Sequence, residues 1–410
     1  MEDAEFSRLL ASLLADSHRL GPGDLPGMVR TAAQAVGMSD AVIFLADLQQ
    51  IRLVPLPDGV RPGGEAVYPD AAERERDMAV DGSLAGWAYR TGTVQLTSGR
   101  QLVLWLPLVD GVERLGVLRL TAPALESAAL EQCKSLASLT GQLLATKSRF
   151  GDLMSRLIRS RPMLLQAELA WAFMPPRTIG CPEATSSAIL EPAYEIGGDA
   201  FDHSLSPTAL HLTVVDAMGH DLASGLCAAV AMAGCRATRR SGGGLADIAS
   251  TVDAALHRWL PDRLLTGVFA DLALATGALT WVNCGHPPPM IIRHQHVVHG
   301  ALERPVQLPL GLPSGHEDRP GAVVHHAQLE PGDRLLIHTD GVTEARSDAG
   351  ELFGENRLID SIIRATAAGE PAPEALRRLV RAILAHHNGH LADDATILLA
   401  EWHPVLETGR

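Results

Sequence analysis

The stretch LEPGDRLLIHTDGVTEAR, Leu329–Arg346, decides how the second half of the chain is read. Its centre, Leu335–His338, is a short apolar run with strand composition, and it stops at Asp340-Gly341, a turn pair. An aspartate at the end of a buried strand is costly unless it is paired or bound to a cation. The same arrangement occurs in EPAYEIGGDAFD (Glu191–Asp202), in VVDAMGH (Val214–His220) and in DDAT (Asp393–Thr396). Each Asp-Gly or Gly-Asp pair alone reads first as a turn. Several carboxylate-bearing strand ends in one chain suit hard divalent cations, which take oxygen ligands.

Outward from these blocks, the pattern from Ala184 onward is short strands broken by paired helices. Leu210, Leu212 and Val214 alternate as in a half-buried strand. Asp221–Arg239, Leu245–Leu260, Leu352–Thr366 and Ala372–His387 have helical spacing, and Ala395–Trp402 reads as the last strand. The expected fold class is α+β, with a C-terminal β-sandwich flanked by helices. The N-terminal third gives two helices, strands, a short helix and a hairpin turning at Asp110-Gly111, an α/β sensor-like arrangement. Between them, Leu136, Leu139, Leu143, Phe150, Leu153 and Leu157 form an apolar seam with Gly141 and Gly151 as weak points, and Pro162 breaks it. Such a seam suits a partner helix and predicts a homodimer. The expected domains are 1–123, a helical linker over 124–178, and 179–403.

Net charge is −14, which disfavours nucleic-acid binding because clustered Lys and Arg supply most of that affinity. The start of the chain lacks a basic and apolar leader, and Gly225–Cys235 is too short to span a bilayer. A cytoplasmic protein with no membrane partner is expected. Five cysteines with no CxxC pair read as reduced thiols. His325-His326 and His386-His387 read as solvated surface pairs.

Two family resemblances follow. DGSLAGWAYRTG (Asp81–Gly92) and LPLVDGVERLGVLRL (Leu106–Leu120) resemble a GAF domain, which implies a small-molecule ligand or dimerisation. The aspartate blocks, with GHPPP (Gly285–Pro289) between them, fall in one colinear series. There the chain resembles the PPM (protein phosphatase 2C) family, in its SpoIIE-like and RsbU-like bacterial branch, over about Ala184 to Trp402. That resemblance implies a binuclear Mn²⁺ or Mg²⁺ site and hydrolysis of phosphoserine or phosphothreonine. It implies Asp199 on one metal, Asp216 bridging both, the Ala217 carbonyl on one ion, and Asp340 and Asp393 on the other. Asp202 and Asp394 follow as direct or water-mediated ligands, with the choice between Asp393 and Asp394 open. A departure from the family pattern is Val215 before Asp216 and Ala217-Met218 after it, which a carbonyl ligand tolerates. A water on the metal is the first candidate for protonating the leaving oxygen, and His220 and His286 are weaker ones. The implied substrate is an anti-sigma-factor antagonist with a STAS domain, under control of the N-terminal domain. The competing readings are a non-catalytic module that senses a ligand and docks a partner, and another two-metal hydrolase such as a nuclease.

Overall fold

The computed structural model describes residues 3–57, 77–305, 307–312, 321–347, 349–386, 391 and 393–404. The chain forms two compact units, Met1–Pro162 and Met163–Arg410.

The first unit is built on one antiparallel sheet. Its strands are β1 (Asp40–Ala46), β2 (Arg52–Pro55), β3 (Met78–Ala79), β4 (Gln95–Thr97), β5 (Leu102–Asp110) and β6 (Glu113–Ala122), in the order β3-β2-β1-β6-β5-β4. One face carries Ile43, Leu45, Leu104, Leu106 and Leu118 against the helices Asp3–Ser17, Leu25–Ala35 and Ser127–Lys147. On the other face Phe44, Leu53 and Val117 pack against Ala88 and Tyr89 of the helix Leu84–Thr91. Ser83 caps that helix by accepting the Gly86 N–H at 2.9 Å.

The structure departs here from the expected linker over 124–178. That segment is divided between the two units at Pro162. Leu136 and Leu143 are buried in the first unit's own core, and Leu139, Leu153 and Leu157 pack against it. The seam is therefore consumed within the chain and gives no support to a dimer, although Phe150 stays exposed. Nor is Gly141 a weak point. A Cβ there would stand 2.4 Å from the Val109 carbonyl oxygen, so glycine permits the close approach of helix to strand.

The second unit has the expected α+β sandwich. One sheet contains β9 (Asp199–Leu205), β10 (Ala209–Ala217), β11 (Leu265–Ala273), β12 (Ala278–Cys284) and β15 (His325–Gln328), in the order β15-β12-β11-β10-β9. The other contains β7 (Thr178–Cys181), β8 (Ala184–Glu191), β13 (Met290–Arg293), β14 (His296–Val297), β16 (Arg334–His338) and β17 (Ala395–Trp402), in the order β14-β13-β16-β17-β8-β7. Their facing sides share one core: Phe201, Leu212, Val214 and Val268 from the first sheet meet Leu190, Leu335, Ile337 and Leu398 from the second. The outer face of the first sheet packs Val215 and Phe269 against the helices Leu222–Arg240 and Leu245–Trp259. The outer face of the second packs Leu336 and Leu399 against the helices Gly354–Ala367 and Ala372–His386. The result is four layers, helix–sheet–sheet–helix. The last of these helices is described to His386, and His387, which the sequence had placed at its end, lies outside the described residues. His325 is not simply a solvated residue: it lies in β15 with its ring 5.4 Å from that of Trp281.

Candidate metal centre

The antiparallel pairing of β9 with β10 sets Asp199 directly opposite Asp216. A strand alternates its side chains, so these two carboxylates share the face of Phe201 and Val214, toward the inside of the sandwich. Asp199 is buried and Asp216 is half-buried. On the second sheet, β16 runs into Thr339 and Asp340, the first residue of the one-turn helix Asp340–Thr343. Asp393 and Asp394 immediately precede β17. Because β16 and β17 are neighbours, with the Thr339 N–H donating to the Thr396 carbonyl at 3.0 Å, their ends arrive together.

The two adjacent aspartates have different tasks. Asp394 is buried, and its Oδ2 accepts the backbone N–H groups of Gly197 and Gly198, each at 2.7 Å, and of Asp199 at 3.3 Å. Asp393 is exposed and accepts only the Asp394 N–H, at 2.9 Å, among the described residues. Asp394 Oδ2 holds the Gly197–Asp199 turn, whereas Asp393 carries no comparable bond among the described residues.

Asp202 is separated from this cluster. Three residues along β9 from Asp199, it has the opposite parity and faces the Leu222–Arg240 helix. Arg236 donates to it through Nη2 at 2.7 Å and Nε at 3.2 Å, and Arg239 through Nη1 at 2.9 Å. Burial raises its carboxyl, but the two arginines overcome this and hold it below the usual carboxylate range. Its expected place among the metal ligands is corrected: Asp202 ties a helix to the sheet. Strand parity and the Arg236/Arg239 spacing were the signals in the sequence.

Two threonines complete the arrangement, and the sequence reading had missed them. Thr339 donates its hydroxyl to Asp199 Oδ2 at 2.8 Å, while its Oγ1 accepts the Thr396 N–H at 2.9 Å. Each stands beside an aspartate already singled out, in HTDG and DDAT, and polar residues flanking such carboxylates are the pattern to seek.

Close backbone approaches explain the glycines. A Cβ on Gly198 would lie 2.2 Å from the Ala217 carbonyl oxygen, and one on Gly341 would lie 1.9 Å from the Asp394 carbonyl oxygen. Neither position accommodates a side chain. The Ala217 carbonyl thus lies against the turn that carries Asp199.

The electrostatics are those of crowded like charges. Burial, and then Asp340, Asp393 and Asp394, push the Asp216 carboxyl up to about 7. Burial, followed by Asp216 and Asp394, holds Asp199 well above the carboxylate range against the opposing hydroxyls. Among the described residues, no arginine or lysine pairs with Asp199, Asp216, Asp340, Asp393 or Asp394. An all-oxygen donor set that repels itself and has no cationic side chain fits a hard divalent cation. Among the described residues no three acidic, His or Cys side chains stand close enough to hold an ion by themselves. An ion held here by fewer than three of these side chains would keep part of its water shell.

The histidines divide. His220 is exposed on the loop after Ala217. His286 is buried; its Nδ1 lies 2.9 Å from Thr266 Oγ1, and Asn283 brackets its backbone through two hydrogen bonds. Burial and the neighbouring His338 push it down to about 3, so it is neutral and shapes a loop.

The SpoIIE family (Stage II sporulation protein E) matches residues 206–403. The chain is 20% identical over 213 residues to phosphoserine phosphatase RsbU of Bacillus subtilis (strain 168), covering 52% of this chain and 61% of that protein. It is 28% identical over 131 residues to protein IcfG of Synechocystis sp. (strain ATCC 27184 / PCC 6803 / Kazusa), covering 32% of this chain and 19% of that one. The chain thus spans less than two thirds of either relative. Similar solved structures include the SiaA-PP2C domain of Pseudomonas aeruginosa, at 20% identity and a TM-score of 0.46 over 53% of this chain and 85% of that one. Another is the PP2C phosphatase domain with a regulatory fragment of SpoIIE from Bacillus subtilis, at 16% identity and a TM-score of 0.44 over 54% and 65%. The matched segment, residues 206–403, falls wholly within the four-layered second unit, and that unit is similar to SpoIIE-type and RsbU-type phosphatases.

Proposed function

We propose that this protein is a metal-dependent phosphatase that removes phosphate from phosphoserine or phosphothreonine of a regulatory protein. The observation that carries the reading is the convergence of Asp199, Asp216, Asp340 and Asp393 from four separate segments on one uncompensated acidic cleft. Mn²⁺ or Mg²⁺ ions held there would supply an activated water and charge neutralisation at the phosphoryl group. Asp199, Asp216, Asp340, Asp393 and the Ala217 carbonyl are the groups of this chain that would hold them. Asp394 and Thr339 fix the turn and the carboxylate that face the cleft. No serine or cysteine nucleophile is required for such a hydrolysis.

The substrate class that fits the RsbU likeness is a STAS-domain anti-sigma-factor antagonist phosphorylated on serine. The first unit, a GAF-like sheet with helices on both faces, is the candidate regulatory domain and small-molecule receiver. The test is a panel of serine-phosphorylated STAS-domain proteins incubated with the full chain and Mn²⁺. Release of phosphate from one of them supports the reading. Release from none, by protein that turns over p-nitrophenyl phosphate, removes the STAS assignment and leaves the phosphatase. Inactivity on both removes the phosphatase.

A further inference from the structure

The loop that leaves Asp216 carries a charge pair that the carboxylate cleft does not use. Asp221 stands at the N-cap of the helix Leu222–Arg240, and its two oxygens have different partners. Oδ1 accepts the Ser224 N–H at 2.8 Å and the Ser224 hydroxyl at 2.9 Å, which is the capping interaction. Oδ2 accepts Nη2 of Arg263 at 3.2 Å. That contact is single and long, and both side chains are open to solvent, 29% for Arg263 and 58% for Asp221. Exposed pairs of this kind exchange partners readily.

The guanidinium stands beside the loop that leaves Asp216. A Cβ on Gly219 would lie 3.9 Å from Arg263 Nη1, and Gly219 is three residues beyond Asp216. The Gly219 carbonyl oxygen in turn lies against Gly198, where a Cβ would be 2.7 Å from it, beside Asp199. The base of the Arg263 side chain is fixed. Its N–H donates to the Leu260 carbonyl at 3.2 Å, and the adjacent Leu264 carbonyl accepts the Met218 N–H at 3.1 Å. A guanidinium on a fixed stem, held loosely at its tip, thus stands beside the loop that joins Asp216 to the helix Leu222–Arg240.

We infer that Arg263 is the substrate-binding residue for the phosphoryl group, and that Asp221 holds it in a resting position from which the phosphate displaces it. The inference rests on the phosphatase reading above. A phosphomonoester dianion approaching these carboxylates gains from a fixed planar donor, and a guanidinium matches two phosphate oxygens at once. Asp221 keeps its capping role through Oδ1 when Oδ2 loses Arg263, so the exchange leaves the helix start intact. Hydrogen bonds from Ser224 come before Arg263 among the causes that bring the Asp221 carboxyl down to about 2, consistent with capping as its main task.

The test is a four-variant cycle on the full chain with Mn²⁺: wild type, Arg263→Ala, Asp221→Asn and the double variant. The readouts are KM and kcat for p-nitrophenyl phosphate and competitive inhibition by inorganic phosphate. Asn caps helices about as well as Asp, so Asp221→Asn preserves the fold. Arg263→Ala should raise KM and the inhibition constant about tenfold, the loss of one charge-assisted contact, with kcat changed less. Arg263→Lys should recover part of that loss. Asp221→Asn should lower KM about threefold, because the competitor for Arg263 is gone. In the Arg263→Ala background the same Asn should change KM by less than a factor of about 1.5, since coupled residues lose their interaction together. If Asp221→Asn lowers KM equally with and without Arg263, its effect is general electrostatics and the exchange is wrong. If both single variants raise KM alike, the pair is structural and the inference falls. Inactive wild type with Mn²⁺ would instead sink the phosphatase reading on which it rests.

Discussion

Asp394 Oδ2 lies 2.7 Å from the backbone nitrogen of Gly198, 196 residues earlier in the chain, and this bond joins the ends of the two sheets at the cleft. With the matching bond to Gly197, it makes Asp394 a clasp for the turn that carries Asp199. The neighbouring Asp393 has no such duty among the described residues.

Substitution should separate the two. Asp394→Ala leaves three backbone N–H groups without their acceptor, and hydrogen bonds to a charged group contribute about 1.5–3 kcal/mol each. Relief of carboxylate repulsion offsets part of this loss. A net fall of about 2–4 kcal/mol is expected, read as a drop in Tm on the order of 5–10 °C for a unit of this size. Asp393→Ala should leave Tm unchanged or slightly raised while abolishing Mn²⁺-dependent turnover. Calorimetry and a turnover assay on the same samples decide it; equal Tm losses in both variants would contradict the division of labour.

Asp202→Asn should act as a stability variant. It leaves Arg236 and Arg239 facing a neutral amide, and breaking a buried pair from one side costs about 3–5 kcal/mol. The midpoint of urea unfolding should fall, with Mn²⁺ affinity measured by calorimetry at a permissive temperature changed less than about threefold. A loss of Mn²⁺ binding with unchanged stability would return Asp202 to the metal site.

Asp216 gives a pH dependence whose sign is fixed by its raised carboxyl. Its ordinary value when unfolded is about 3.9, and in the folded protein it is about 7. Between those limits the folded protein keeps a proton that the unfolded chain has released. This group's effect is therefore a stability that falls as pH rises from about 4 to 7 and is flat beyond. In metal-free protein, Asp216→Asn should match wild type near pH 4.5 and exceed its Tm by a few degrees near pH 8. Saturating Mn²⁺ should raise the wild-type Tm at pH 8 and not that of the variant. A Tm difference independent of pH would show that Asp216 is not crowded as described.

Gly341→Ala should be poorly tolerated although the residue follows an exposed aspartate. The added methyl meets the Asp394 carbonyl oxygen at 1.9 Å, so the ends of β16 and β17 must part. A fall of about 2–3 kcal/mol in stability and reduced turnover are expected, and a variant with wild-type Tm would contradict the close approach.

The sandwich was legible in the sequence because buried strands such as Leu335–His338 and amphipathic helices such as Leu245–Trp259 declare their periods locally. The candidate ligands were named through the colinear blocks that resemble the PPM family, since each Asp alone reads as a turn residue. The roles of Asp202 and Asp394 were not legible, since both depend on pairing across the fold: β9 parity for one, a contact spanning nearly two hundred residues for the other. The seam over Leu136–Leu157 misled for a related reason. Its leucines match a coiled-coil face, yet a six-stranded sheet in the same unit covers Leu136 and Leu143.

The proposed phosphatase hydrolyses phosphomonoesters at the carboxylate cluster with a divalent metal. Turnover of p-nitrophenyl phosphate by the full chain, titrated with Mn²⁺ and compared with Asp340→Ala, tests it most directly. The expected result is activity that rises with Mn²⁺, disappears with chelator, and falls at least a hundredfold in Asp340→Ala at unchanged Tm, a loss of about 2.7 kcal/mol in transition-state stabilisation. Activity that ignores Mn²⁺, or that survives Asp340→Ala intact, would contradict it.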